Sequence, residues 1–163
     1  MSDIGAFTYK KIEVDPIGIL VETVEQVENR FSERGLTLHM KLPNNSSQFF
    51  LGDPDRLQQL FTNLLENSLR YTDVPGSLEV SVEQDSACIL IRFQDSAPGV
   101  EPEMLTKLFD RLFRGDLSRK RGNGGAGLGL TICKNIVEAH QGSIVGQHSP
   151  QGGLEFCIQF PLS

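Results

Sequence analysis

Two Asp-Pro pairs, Asp15-Pro16 and Asp53-Pro54, each head a run with helical apolar spacing. An aspartate cap followed by proline at the first helical position is a strong start signal. The carboxylate accepts orphan N–H groups, and the ring presets φ. The first run keeps Ile17, Leu20, Val21, Val24, Val27 and Phe31 on one face until Gly35 ends it. The second carries Leu57, Leu60, Phe61, Leu64 and Leu65 and is predicted to reach about Tyr71. Around these helices the period changes to two. Leu36, Leu38, Met40 and Leu42 alternate with Thr37, His39 and Lys41, which predicts a half-buried strand. Short strands are expected from Thr8 to Val14 and near 48–51, the latter after a turn at Asn44-Asn45. Pro75-Gly76 precedes two β-rich runs, 77–83 and 87–94, that read as a hairpin. A helix over 127–140 leads to a closing strand pair, 142–147 and 154–160, around Gly152-Gly153. This alternation predicts a two-layer α/β sandwich, a mixed sheet with helices on one face.

At 163 residues the chain suits one domain, and 39% hydrophobic with 22% charged residues is ordinary globular composition. The net charge of -6 argues against a nucleic-acid partner, although a basic patch runs from Arg111 to Arg121. Cys88, Cys133 and Cys157 are odd in number and lack Cys-x-x-Cys spacing, so they read as reduced core thiols. No apolar run approaches the ~20 residues of a membrane span and no signal peptide opens the chain. Any membrane anchor of a parent protein is expected outside this piece.

Four segments can carry chemistry. Five glycines crowd into Gly122-Asn123-Gly124-Gly125-Ala126-Gly127-Leu128-Gly129-Leu130, directly ahead of the last helix. A glycine loop feeding a helix N-terminus is an anion cradle, because unpaired N–H groups, the helix dipole and missing Cβ atoms all favour a phosphate. No Gly-Lys-Ser/Thr follows it and no strand directly precedes it, so neither a Walker A loop nor a Rossmann turn fits. On the second helix, Asn63, Glu66, Asn67 and Arg70 share an arc of about 100° on the side away from the leucines. Amide oxygens beside a guanidinium can hold a hydrated magnesium ion and phosphates; the same arc also suits a plain solvated face. Asp95-Ser96-Ala97-Pro98-Gly99 leaves a strand, either as a turn former or with a carboxylate placed for an exocyclic amine such as that of adenine. Leu108-Phe109-Asp110-Arg111-Leu112-Phe113-Arg114, within a short helix expected over about 102–112, mixes core-type aromatics with arginines able to close over phosphates.

In this order the segments resemble the ATP-binding catalytic domain of sensor histidine kinases, within the gyrase–Hsp90–kinase–MutL group. The asparagine helix is similar to the family's N box, Asp95–Gly99 to its G1 box, Leu108–Arg114 to its F box, and Gly125-Ala126-Gly127-Leu128-Gly129-Leu130 to its G2 box. The wording of Asn63–Thr72 and Asp95–Val100 is nearest to the envelope-stress type of sensor kinase. The resemblance covers about residues 8–162, leaving 1–7 as a tail or as a start introduced where the domain was cut from a longer chain. It implies a Bergerat-type ATP-binding fold with a mobile lid over 97–126. It further implies that Asp95 reads adenine, with Ala97 and Gly99 beside the base, and that Asn67 ligates Mg²⁺ with Asn63 in support. Arg70 would contact phosphate and Tyr71 flank the nucleotide. Leu108, Phe109, Arg111 and Arg114 would border the lid, and Gly125, Gly127, Leu128, Gly129 and Leu130 would form its far hinge and phosphate-facing wall.

Two departures matter. Ala97 stands where the G1 pattern has its first glycine, and Asn63 stands where the ATPase branches place a water-activating glutamate. An amide is no base, so slow hydrolysis is expected. None of His39, His140 and His148 lies in a His-Glu/Asp-x-Arg-Thr-Pro context; His140 is placed at a helix C-terminus, where a cation suits the dipole. The implied partners are therefore a histidine-bearing dimerisation domain of the same kinase and a downstream response regulator, with this piece monomeric alone. The resemblance places it on the cytoplasmic side of a parent protein in the bacterial inner membrane. The rival readings are an anti-sigma-type serine kinase, which would share the boxes, and a non-catalytic nucleotide-gated module.

Overall fold

The computed structural model describes residues 9–44, 49–96, 98–109 and 126–162. Helix α1 spans Pro16–Arg34 and α2 spans Pro54–Tyr71. Asp15 accepts the Gly18 N–H at 3.2 Å, and Asp53 accepts those of Asp55 and Arg56 at 3.0 and 3.3 Å, so both Asp-Pro starts are true caps. Gly35 closes α1 at φ 90, a left-handed conformation that suits glycine. The third helix, α3, spans Ala126–Ala139. Pro102–Lys107 forms a 3-10 helix, tighter and shorter than the helix expected up to residue 112; residues 110–112 lie outside the described ones.

The strands are β1 (Ile12–Val14), β2 (Leu36–Lys41), β3 (Phe50–Gly52), β4 (Gly76–Gln84), β5 (Cys88–Ser96), β6 (Ser143–His148) and β7 (Gly152–Pro161). A five-stranded sheet runs β2-β4-β5-β7-β6, with β2 parallel to β4 and the other pairs antiparallel. β1 and β3 pair separately as an antiparallel ribbon. β1 is shorter than the expected run from Thr8, because regular pairing with β3 begins only at Ile12.

One sheet face carries Leu78, Val80 and Val82, then Ile89, Ile91 and Phe93, then Phe156, Ile158 and Phe160, all buried. The helices supply Leu20, Leu57, Leu60, Phe61, Leu64 and Leu65 to the same core, and the Phe61 and Phe93 rings stack 6.4 Å apart. α2 packs against both α1 and α3. The fold is thus the expected mixed sheet with helices on one face. Leu42 is the exception in β2's alternation: it lies past the strand end and is exposed. On the open face Glu155 is buried at 3% exposure, because the Gln94 and Gln147 amides donate to it at 2.8 and 2.6 Å and Arg92 pairs with it at 3.5 Å.

Candidate nucleotide site

The C-terminal half of α2, the end of β5 and the start of β7 meet around Asp95. This residue belongs to β5 and is 6% exposed, so it is no turn former. The β5–β7 register shifts between Gln94 and Ser96, and at that irregularity the Leu154 N–H donates to Asp95 Oδ1 at 2.7 Å. The Ser68 hydroxyl donates to Oδ2 at 3.3 Å. These two bonds fix the orientation of the carboxylate. Gly153 is required beside it, because a Cβ there would collide with Ser96 O and Asp95 Oδ1. Gly99, at φ 69, lies against the Gly153 backbone, with only 3.0 Å available to a Cβ. Its close approach among the described residues is therefore to the β6–β7 turn.

The polar arc of α2 is divided by its neighbours. Asn67 is buried at 7% exposure, and its Oδ1 has no hydrogen-bond partner. A buried amide oxygen left unpaired costs about 1–3 kcal/mol, and hard cations such as magnesium take just such oxygen ligands. The residue therefore fits the metal it was expected to hold. Asn63 is half-buried. Glu66 turns instead to α1, where its carboxylate pairs with Arg30 at 3.1 Å. Arg70 is exposed, and Tyr71 is buried at the helix end. Thr72 is buried beside it, its Oγ1 unpartnered.

Leu108 and Leu130 are both 1% exposed and belong to the apolar core, and Phe109 packs 6.0 Å from the Phe156 ring. Their visible role is to seat the segments flanking the expected lid; the Thr131 hydroxyl, on α3, donates to Phe109 O at 3.0 Å and ties the two together. Gly127, Leu128 and Gly129 fall in the first turn of α3. Ala97, Arg111, Phe113, Arg114 and Gly125 lie outside the described residues, as does most of the glycine cluster.

His140 departs from its expected state. It is 3% exposed, its Nδ1–H donates to Ile136 O at 2.8 Å and its Nε2 accepts the Asp53 N–H at 3.0 Å. Burial lowers its pKa below the ordinary histidine value, with Lys11 adding to the effect and the Ile136 carbonyl and Asp53 opposing it. It is a neutral core imidazole, not a cation on a helix dipole. Cys133 is a core thiol as expected, whereas Cys88 and Cys157 are only half-buried. Sequence reasoning missed Ser68 and the Leu154 N–H as site partners. Each acts on a residue far along the chain, and a small polar residue within an apolar pattern carries no local signal of such a bond.

Residues 52–163 match the family described as histidine kinase-, DNA gyrase B-, and HSP90-like ATPase. The chain belongs to that family. Over 162 residues it is 51% identical to the signal transduction histidine-protein kinase BaeS of Escherichia coli K12, and over 149 residues 34% identical to the sensor protein SrrB of Staphylococcus aureus MRSA252. These alignments take in 99% and 91% of the chain but only 34% and 25% of the relatives, so it spans about a third or less of their length. Its fold matches a nucleotide-free form of the catalytic domain of histidine kinase ThkA, with TM-score 0.81, 22% identity, and coverage of 94% of this chain and 96% of that one. ThkA in complex with the response regulator TrrA superposes with TM-score 0.78 at 20% identity, covering 95% of this chain and 42% of that one. Among the described residues no helix is long and apolar enough to cross a membrane.

Proposed function

We propose that this domain binds ATP with Mg²⁺ and donates the γ-phosphoryl group to a histidine on a separate dimerisation domain of a two-component sensor kinase. The observation that carries the reading is the pair of prepared acceptors on one wall: the Asp95 carboxylate held by Ser68 and Leu154, and the buried, unpartnered Oδ1 of Asn67. Asp95 suits the adenine amine. Asn67, supported by Asn63, suits the metal, which when bound neutralises phosphate charge. Arg70, exposed at the end of α2, is assigned to phosphate, and the glycine-rich start of α3 supplies backbone N–H groups to it. Transfer breaks the bond between the γ-phosphorus and the β–γ bridging oxygen and forms one to an imidazole nitrogen. ADP leaves, and the imidazole proton goes to a base on the partner domain. Such a reaction asks mainly for positioning and charge neutralisation.

Water is a poor rival to the histidine here. Asn63 cannot act as a base, and the nearby carboxylate of Glu66 is engaged by Arg30 on α1. The downstream partner we infer is a response regulator, consistent with the complex known for ThkA. We place the parent protein in the bacterial inner membrane with this domain on its cytoplasmic side. The decisive experiment mixes the domain with a histidine-bearing helical hairpin and γ-labelled ATP. Label on the hairpin that is lost in acid is the expected result; acid-stable label would mean a hydroxyl acceptor, and no label would mean a binding module without transfer.

A further inference from the structure

Along the β5–β7 pair, Gln94 stands opposite Glu155 and Ser96 opposite Gly152, so Gly153 and Leu154 of β7 face Asp95 alone. This is a β-bulge, and it re-aims the Leu154 N–H onto Asp95 Oδ1 at 2.7 Å. Glu155 is the first in-register residue beyond the bulge. On the open face of the sheet its carboxylate joins three strands. The Gln94 amide of β5 donates to Oε1 at 2.8 Å, the Gln147 amide of β6 donates to Oε2 at 2.6 Å, and Arg92 of β5 pairs with Oε2 at 3.5 Å. Arg92 extends the set to β4, where it pairs with Glu83 at 3.2 Å. Sheet pairing alone does not call for a buried carboxylate at this place, because an apolar side chain would avoid the cost of desolvation.

We propose that Glu155 is a positioning residue for the nucleotide: by tying β5, β6 and β7 together beside the bulge, it keeps the Leu154 N–H on Asp95 and so fixes the carboxylate assigned to adenine. A slip of one residue would exchange the faces of β7 and carry that N–H away. The inference rests on the adenine reading above. Calorimetric ADP titration of the wild type tests that reading, and NMR exchange of the Leu154 amide without nucleotide tests the clamp. In Glu155→Leu the Leu154 amide loses its protection from exchange, while the amides that pair β7 with β5 beyond Glu155 keep theirs. ADP affinity falls about fivefold, the worth of one net hydrogen bond. Glu155→Gln, which keeps one oxygen but turns an NH₂ toward a donor, falls in between. Val27→Ala, a truncation in the core face of α1, lowers the melting temperature and leaves ADP affinity unchanged, as a merely structural loss does. A Glu155→Leu protein that binds ADP as the wild type does would overturn the proposal. So would protection lost evenly along β7, or an equal fall in affinity in Val27→Ala. A wild type that binds no ADP would overturn the adenine reading and this inference together. Should Glu155→Leu fail to fold, Gln147→Ala decides, since that residue is exposed and supplies one of the ties. A selective loss at Leu154 with affinity down about twofold is expected, and no change in either refutes the clamp.

Discussion

Asp95, which the proposed function assigns to the adenine amine, is a carboxylate held in place by its neighbours. Leu154 N–H and the Ser68 hydroxyl take one oxygen each and stop the side chain from rotating, so a ligand amine meets a fixed acceptor. Asp95→Asn keeps an oxygen for Leu154 but loses the charge. Hydrogen bonds to charged groups are worth about 1.5–3 kcal/mol, so ADP affinity is expected to fall roughly tenfold or more by calorimetry, with the thermal transition little changed. His140 gives a pH test. The unfolded chain takes up its proton near the ordinary 6.5, whereas burial makes the folded chain resist it. Stability is therefore full above pH 6.5 and declines as pH drops below it. In His140→Gln, melting temperature should fall less steeply between pH 6.5 and 5. An unchanged slope would assign the acid sensitivity to other groups.

At the scale of elements, Asp53 is a junction. Its carboxylate caps α2 and also accepts the Lys10 N–H at 2.8 Å, ahead of β1, while its own N–H reaches His140 at the end of α3. Burial alone would raise its pKa, but the N–H groups of Lys10, Arg56 and Asp55, together with the charge of Arg56, hold it below the ordinary carboxylate range. Its contribution is present above the unfolded pKa and is lost as pH falls through the lower folded value. Asp53→Ala should cost about 1–2 kcal/mol in urea unfolding at pH 7, with a smaller difference in strong acid. The elements were largely legible beforehand, because a cap, a proline and a period of 3.6 or 2 all act within one segment. Their ends were less so. The expected strand from Thr8 shrinks to Ile12–Val14 because its extent depends on β3, and of the short helical stretch expected over about 102–112 the described residues show a 3-10 helix over Pro102–Lys107.

For the whole molecule, the helices cover one face of the sheet, and the wall proposed for the nucleotide lies where α2, β5 and β7 converge. The three histidines lie elsewhere: His39 and His148 are exposed on strands, and His140 is sealed in the core. The domain incubated alone with γ-labelled ATP should therefore hold no acid-labile label, and should acquire none until a histidine hairpin is supplied. Label on the lone domain, mapped to one of these residues, would refute the division of labour between donor and acceptor domains.

By itself the sequence determined the element order, the two capped helices, the apolar faces and the family, since each rests on patterns within a segment or on the order of short motifs. Tertiary structure alone decided how the polar residues are used. Asn63, Glu66 and Asn67 look equivalent on one arc of α2, yet one stays half-buried, one meets an arginine on α1, and one is buried with its oxygen unpartnered. The deciding bonds join residues 27, 59 and 87 positions apart, from Ser68 to Asp95, Leu154 to Asp95 and Asp53 to His140. A side chain's burial and protonation depend on what packs against it, and that neighbour is set by the fold rather than by the adjacent chain.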